Sequence, residues 1–176
     1  MDSLIPKNSF KLLNVFLYKP RVQIHQNEII RLSGLSKITV MKLLRLYADE
    51  GLLKESQIGN LKLFSLVEEH PVVKQLKVLI NVTELYTNIK DFSGKNFDVY
   101  LFGSTARGED TEDSDIDILI LGKISHTLLN DLTTRIDKAM KRDVNPVVKS
   151  HIEYANLYNT DRAFFENIER DRIKLI

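Results

Sequence analysis

The sequence predicts an α/β (α+β) domain with a mixed sheet over residues 71–176, preceded by a smaller unit of three helices and a β-hairpin over residues 1–70. Three observations carry this reading. Two strand-like runs, FDVYLF at 97–102 and ILIL at 118–121, flank a glycine turn and an acidic loop. A helical pattern and a further strand-like run, DVNPVVK at 143–149, come next, so strands alternate with helices. In the first 70 residues, apolar side chains recur at helical spacing and then give way to two short strand-like runs around Gly59-Asn60.

Taken in order, Phe10, Leu13, Val15, Phe16 and Leu17 predict a short apolar helix that Lys19-Pro20 ends. His25–Ser33 predicts a second, with Ile29, Ile30 and Leu32 as core positions and Gly34 at its stop. Ser36 caps a third, along which Val40, Leu43, Leu44 and Tyr47 recur until Gly51. Residues 52–56 and 61–67 then form the two strands of a tight hairpin. His70-Pro71 is the expected domain boundary. Pro71 suits a first helical turn, and Val72, Val73, Leu76, Leu79, Ile80, Val82, Tyr86 and Ile89 continue that helix to about Lys90. Its spacing is compatible with a rigid connector, a homodimer seam or the first helix of the following domain. After Gly122, Leu128, Leu129, Leu132, Ile136 and Met140 mark a helix over 128–141. Pro146 makes the strand after it an edge or a bulged strand. Asp161 caps a last helix, AFFENIER, before the strand-like RIKLI.

Composition narrows the function classes. With 43% hydrophobic and 28% charged residues the chain is an ordinary globular one, and the absence of cysteine excludes disulfides, thiolate metal sites and a cysteine nucleophile. His25, His70, His126 and His151 are scattered without metal-ligand spacing. No apolar run approaches the roughly 20 residues that span a bilayer. The opening MDSLIPKNSF lacks the basic and long apolar regions of a secretory signal, so a cytoplasmic location without a membrane partner is expected. The net charge of +1 divides into +3 over residues 1–70 and −2 over 71–176, the direction expected of a DNA-facing first unit.

The stretch 103–117, GSTARGEDTEDSDID, concentrates the chemistry. Gly103 permits a turn whose backbone N–H groups point at an anion. Asp115 and Asp117 open the next strand, where residues two apart project from one face, and two carboxylates there suit a hard divalent cation such as magnesium. A phosphate cradle beside such a pair is the equipment of phosphoryl or nucleotidyl transfer. Asp115 and Asp117 alternate with Ile116 and Ile118 on a segment that must be buried, whereas Glu109, Asp110, Glu112 and Asp113 read as a solvated acidic loop.

Gly103-Ser104, Ala106-Arg107-Gly108 and the run 114–119 (SDIDIL) resemble the signature of the DNA polymerase β-type nucleotidyltransferases, and most closely their minimal branch. The resemblance implies a nucleotidyltransferase domain, with the long helix from Pro71 as its first helix. It implies magnesium, as two ions held by Asp115 and Asp117, and ATP or another nucleoside triphosphate. Ser104 and the backbone around Gly103 would hold the terminal phosphates, and Arg107 would either join that clamp or pair with a loop carboxylate such as Glu109 or Asp110. The run GLSKITVMKLLRLYADEGLLKE resembles the recognition helix of winged helix-turn-helix regulators. That implies double-stranded DNA as a partner, met by Lys37, Thr39, Lys42 and Arg45 on the helix, beside Ile38 and Met41, and by Lys54 and Lys62 on the hairpin.

The family's third carboxylate falls at Asn145, which ligates through an amide oxygen but brings no charge and accepts no proton. Asp143, two residues earlier, lies about 7 Å away at ordinary strand rise. Two functions follow as expectations: an antitoxin-like adenylyltransferase that transfers AMP to a partner such as a HEPN-type toxin, and a transcriptional regulator whose degenerate transferase domain only senses nucleotide. An aminoglycoside-type small-molecule transferase ranks last, since no further substrate domain remains.

Overall fold

The computed structural model describes residues 7–17 and 22–176, so Lys19-Pro20 lies outside the described residues. Contacts divide the chain into two compact units, Met1–Lys74 and Gln75–Ile176. In the first, α1 (Ser9–Leu17) leads to β1 (Ile24–His25), α2 (Gln26–Ser33), α3 (Lys37–Asp49) and the hairpin of β2 (Leu53–Ile58) and β3 (Leu61–Leu66). Ser36 caps α3 by accepting the Thr39 backbone N–H, and Val40, Leu43, Leu44 and Tyr47 are its buried residues. The hairpin closes through a two-residue turn that pairs Ile58 with Leu61, where Gly59 supplies the positive φ of 59°.

Three features of this unit differ from the expectation. β1 was unforeseen: it pairs antiparallel with β3, Ile24 against Phe64, giving a three-stranded sheet in the order β1-β3-β2. Two residues are too few to show a strand period. Leu32 is not core but 51% exposed, because the inward face of α2 runs through Gln26, Ile29, Ile30 and Ser33. Phe10 is likewise exposed, with Leu12 buried instead.

The second unit contains most of α4 (Pro71–Ile89), a 3₁₀ turn (Lys90–Phe92), β4 (Phe97–Leu101), α5 (Gly103–Arg107), β5 (Ile116–Gly122), α6 (His126–Met140), β6 (Val144–Lys149), α7 (His151–Thr160), α8 (Arg162–Asp171) and β7 (Ile173–Lys174). The sheet order is β6-β5-β4-β7, with β5 and β6 parallel and the other pairs antiparallel. It is thus a mixed sheet, with the Pro146 strand at one edge. α7 was unforeseen; a capping box starts it, Ser150 accepting the Glu153 N–H while Glu153 accepts the Ser150 N–H.

Strand alternation builds two apolar layers. Ile116, Ile118 and Ile120 of β5 face Leu85 and Ile89 of α4 and Leu132 and Ile136 of α6. Leu119 and Leu121 face the other way, toward Tyr154 of α7 and Ile168 of α8. Helices therefore cover both faces, which leaves β5 apolar along nearly its whole length. The buried side of α4 runs through Val73, Lys77, Asn81, Leu85 and Ile89 at every fourth residue, so Leu79 and Tyr86 are 52% and 49% exposed rather than core. Two polar residues lie on that buried face because they have a buried carboxylate to meet. Leu85→Ala is accordingly expected to cost about 2–5 kcal/mol in urea unfolding of the full chain, and Leu79→Ala about 0.5 kcal/mol or less.

Candidate nucleotide and metal site

The site lies where β4 ends and β5 begins. Leu101 pairs with Ile118, and the Phe102 N–H donates to the Asp117 carbonyl at 3.1 Å, which brings the turn after β4 against the first residues of β5. Gly103 turns there with φ of 74° and opens α5, a helix of only five residues. A Cβ at this position would lie 2.5 Å from Asp117 Oδ2. Glycine is thus required twice, for its backbone angle and because the Asp117 carboxylate rests on its backbone. Ser104 follows, half-buried in the first turn of α5.

Asp117 projects from the same face of β5 as Leu119 and Leu121, and Asp115 stands exposed just before the strand. In the parallel register Asp117 lies opposite Asn145, and Asn145 Nδ2 donates to Asp117 Oδ1 at 3.0 Å. Asp143 instead holds the strand entrance through its backbone, its carbonyl accepting the Ile116 N–H at 2.8 Å. Its side chain lines a cleft of about 290 Å³ together with Asp115, Glu112, Asp113 and Asp137.

Among the described residues no three His, Cys, Asp or Glu side chains gather into a metal cage. The donors on hand are the carboxylates of Asp115 and Asp117 and the amide oxygen of Asn145. Oxygen-only donors on neighbouring strands match a hard cation such as magnesium and not a soft one.

Arg107 is in an ion pair. Its Nε meets Glu109 Oε2 at 2.8 Å and its Nη1 meets Asp171 Oδ2 at 2.5 Å, tying α5 to the end of α8. Hydrogen bonds donated to Glu109 first and Asp171 second raise the Arg107 pKa further. Burial acts to raise Asp171, but hydrogen bonds from Arg170 and Arg107 outweigh it and hold that carboxyl below its usual range.

Asp110 is the correction with the largest consequence, since it is buried rather than part of a solvated loop. Arg142 Nη1 meets its Oδ2 at 2.8 Å, Lys77 Nζ lies 3.6 Å from its Oδ1, and Asn81 Nδ2 lies 3.2–3.3 Å from both oxygens. Lys77 also donates to the Asp110 backbone carbonyl. Arg142 further donates through Nε to the Ser114 carbonyl at 2.6 Å and through Nη2 to Thr105 Oγ1 at 3.0 Å and the Asp115 carbonyl at 3.3 Å. None of Lys77, Asn81, Thr105 or Arg142 stood out in the sequence. The one available signal was that Lys77 and Asn81 lie four residues apart on the line joining Val73 to Leu85.

In the first unit, Lys37, Lys42, Lys54 and Arg45 are exposed, as are Ile38 (82%) and Met41 (49%). Thr39 shares a hydrogen bond with Ser36 Oγ at 2.8 Å, and Lys62 pairs with Glu55 at 2.6 Å. Arg45 reaches Asp49 only at 3.8 Å, with both side chains largely in solvent. Among the described residues no helix is long and apolar enough to cross a membrane.

A mixed four-stranded sheet with a Gly-Ser turn seated on Asp117 of one of its two inner strands defines a nucleotidyltransferase-like α/β unit. The chain belongs to the nucleotidyltransferase domain family, whose model matches residues 82–175. Over 77 residues it is 35% identical to a candidate protein adenylyltransferase of Methanocaldococcus jannaschii, a match covering 44% of this chain and 72% of that protein. A crystal structure of a toxin–antitoxin with AMP-PNP aligns with 21% identity and a TM-score of 0.39, over 55% of this chain and 73% of that one. A candidate nucleotidyltransferase from Sulfolobus solfataricus aligns with 24% identity and a TM-score of 0.33, over 59% and 84% respectively.

Gly103→Ala is expected to cost at least about 1–2 kcal/mol from the positive φ alone, and more from the displaced Asp117, as read by chemical unfolding. The Asp171 pair predicts a pH dependence. A carboxyl lowered from its ordinary value of 3.8 contributes stability that is present above about pH 4 and is lost as pH falls through the lowered value. The melting-temperature gap between wild type and Asp171→Asn should therefore be constant near neutrality and shrink in acid.

Proposed function

We propose that this chain binds a magnesium–nucleoside triphosphate at Gly103, Ser104, Asp115 and Asp117 and transfers AMP from ATP onto a protein acceptor, in the manner of an antitoxin. The observation that carries it is the Asp117 carboxylate seated on the Gly103 backbone. A turn able to bind an anion beside a carboxylate able to bind a cation suits a ligand that carries both phosphate and metal, which supports the reading. A protein acceptor is supported by the name of the Methanocaldococcus relative. A HEPN-type toxin is the class to which the sequence resemblance points.

In this reading the backbone N–H groups after Gly103 and the Ser104 hydroxyl bind the terminal phosphates. Asp115 and Asp117 would hold magnesium, which when bound neutralises the triphosphate and acidifies the acceptor hydroxyl. The hydroxyl oxygen attacks the α-phosphorus as its proton passes to solvent, the bond from the α-phosphorus to the bridging oxygen of the β-phosphate breaks, and pyrophosphate leaves. Asn145 holds Asp117 by its amide, but it adds no negative charge and takes no proton.

That same hydrogen bond favours a second reading, a regulator that senses nucleotide with little turnover. The first unit supports it as a DNA reader. The order of helices and hairpin suits a winged helix-turn-helix, with Lys37, Lys42 and Arg45 exposed on α3 and Lys54 on the hairpin. Lys62 is turned to Glu55 and Thr39 to Ser36, which leaves them weaker contacts.

Calorimetry should detect Mg-ATP binding to the wild type and none to Asp115→Asn/Asp117→Asn; unchanged affinity in the double variant overturns the site. With radiolabelled ATP and a HEPN-type partner, wild type should label slowly and Asn145→Asp faster. In a low-salt gel shift with the chain's own promoter, Lys42→Glu/Arg45→Glu should abolish the retarded band, and no shift by wild type sinks the DNA reading.

A further inference from the structure

We infer that Asp110 is a positioning residue for the nucleotide site: buried beneath the acidic loop, it orients Arg142 so that the loop delivers Asp115 and Asp117 beside Gly103. The inference rests on the proposed nucleotide site and adds what holds that site in shape.

The geometry centres on one guanidinium. Through two nitrogens, Nε and Nη2, Arg142 grips Thr105 in α5 and the carbonyls of Ser114 and Asp115 at the entrance of β5. It therefore ties together both ends of the loop that carries Gly103 at one side and the paired aspartates at the other. The Thr105 hydroxyl adds a contact of its own to the Asp115 carbonyl at 3.4 Å. A planar fork makes such a grip only if its remaining nitrogen is fixed, and Asp110 fixes it at 2.8 Å. Asp110 is in turn fixed from α4 by Lys77 and Asn81. Arg142 itself precedes β6, the strand that brings Asn145 to Asp117.

Stability alone does not account for this arrangement. A buried ion pair commonly contributes no more than an apolar pair of the same volume, because desolvation offsets the attraction. A hydrophobic contact between α4 and the loop would hold them together as well, yet it would leave the rotation of the Arg142 fork unspecified. What the polar hub supplies in addition is direction, delivered to backbone atoms one and two residues from the candidate ligands.

Two variants of the full chain test this. Lys77→Met/Asp110→Leu replaces the ion pair by apolar side chains, and Arg142→Lys keeps the charge while losing the fork. Each is compared with wild type by melting temperature, by amide hydrogen exchange over residues 109–115 and by Mg-ATP calorimetry. Expected are faster exchange in 109–115 with residues 118–121 and 128–140 unchanged, and affinity about 10- to 100-fold weaker in protein that is still folded. A lowered melting temperature with wild-type affinity in the folded protein makes the hub merely structural and overturns the inference, as does wild-type exchange in the loop. Should the wild type bind no Mg-ATP, the nucleotide reading falls by itself, and the exchange measurement decides whether Asp110 anchors the loop.

Discussion

Placing a carboxylate beneath a loop costs several kcal/mol unless cations and donors come with it. Asp110 is buried with Lys77, Asn81 and Arg142 converging on it, and much of the second unit follows from that requirement. Lys77 must lie on the inner face of α4, which rotates Leu79 and Tyr86 outward. Arg142 must stand just past the end of α6, where Lys141 takes a left-handed φ of 53° to close that helix. Thr105 must turn inward from α5, where it is fully buried. One ion cluster thus sets the rotation of one helix, the end of a second and the packing of a third.

The strands supply the rest of the frame. Because β5 is central and covered on both faces, its side chains alternate between two apolar layers, and the residue that leaves this pattern is Asp117. It interrupts the layer of Leu119 and Leu121 at the end of the strand, where the turn after β4 and the first residues of β6 both lie alongside. A carboxylate there has the Gly103 backbone on one side and the Asn145 amide on the other. The close approach to Gly103 leaves no room for a side chain, so strand register and glycine constrain each other.

Much of this was legible in the sequence, for reasons that differ by element. The strands at 97 and 116 and the helix at 126 were readable because they depend on local period, and the placing of Asn145 opposite the aspartates came from the family resemblance. Ser36 and Asp161 were readable as caps because their side chains act within three residues. The hub was not. Asp110 sits among Glu109, Glu112 and Asp113 and differs from them only through partners 29 to 33 residues away. For the same reason the face of α4 was misjudged: apolar periodicity favours Leu79 and Tyr86, and only a distant carboxylate makes Lys77 the inward residue. α7 was missed although Ser150 and Glu153 stand at capping-box spacing, because almost no apolar stripe follows them: Tyr154 is its one buried residue. The pairing of Arg107 with Asp171 was likewise out of reach, 64 residues along the chain.

Binding and turnover draw on different parts of this frame. On the proposed reading, phosphate and a cation are held by the turn at Gly103 and by Asp115 and Asp117 at the start of β5, and these segments are tied together twice, by the β4–β5 register and by Arg142. In the same reading, the further negative charge that would activate an acceptor hydroxyl falls, by the resemblance drawn from the sequence, on β6, an edge strand that contributes Asn145. An amide in place of a carboxylate there leaves the proposed binding residues in position. It also lessens the like-charge repulsion that three carboxylates would exert on one another before a cation arrives. The hydrogen bond from Asn145 then holds Asp117 in place without a metal, which a carboxylate at that position could not do unless protonated. On the proposed reading, the substitution shifts the site toward a preformed nucleotide-binding state and away from rapid transfer.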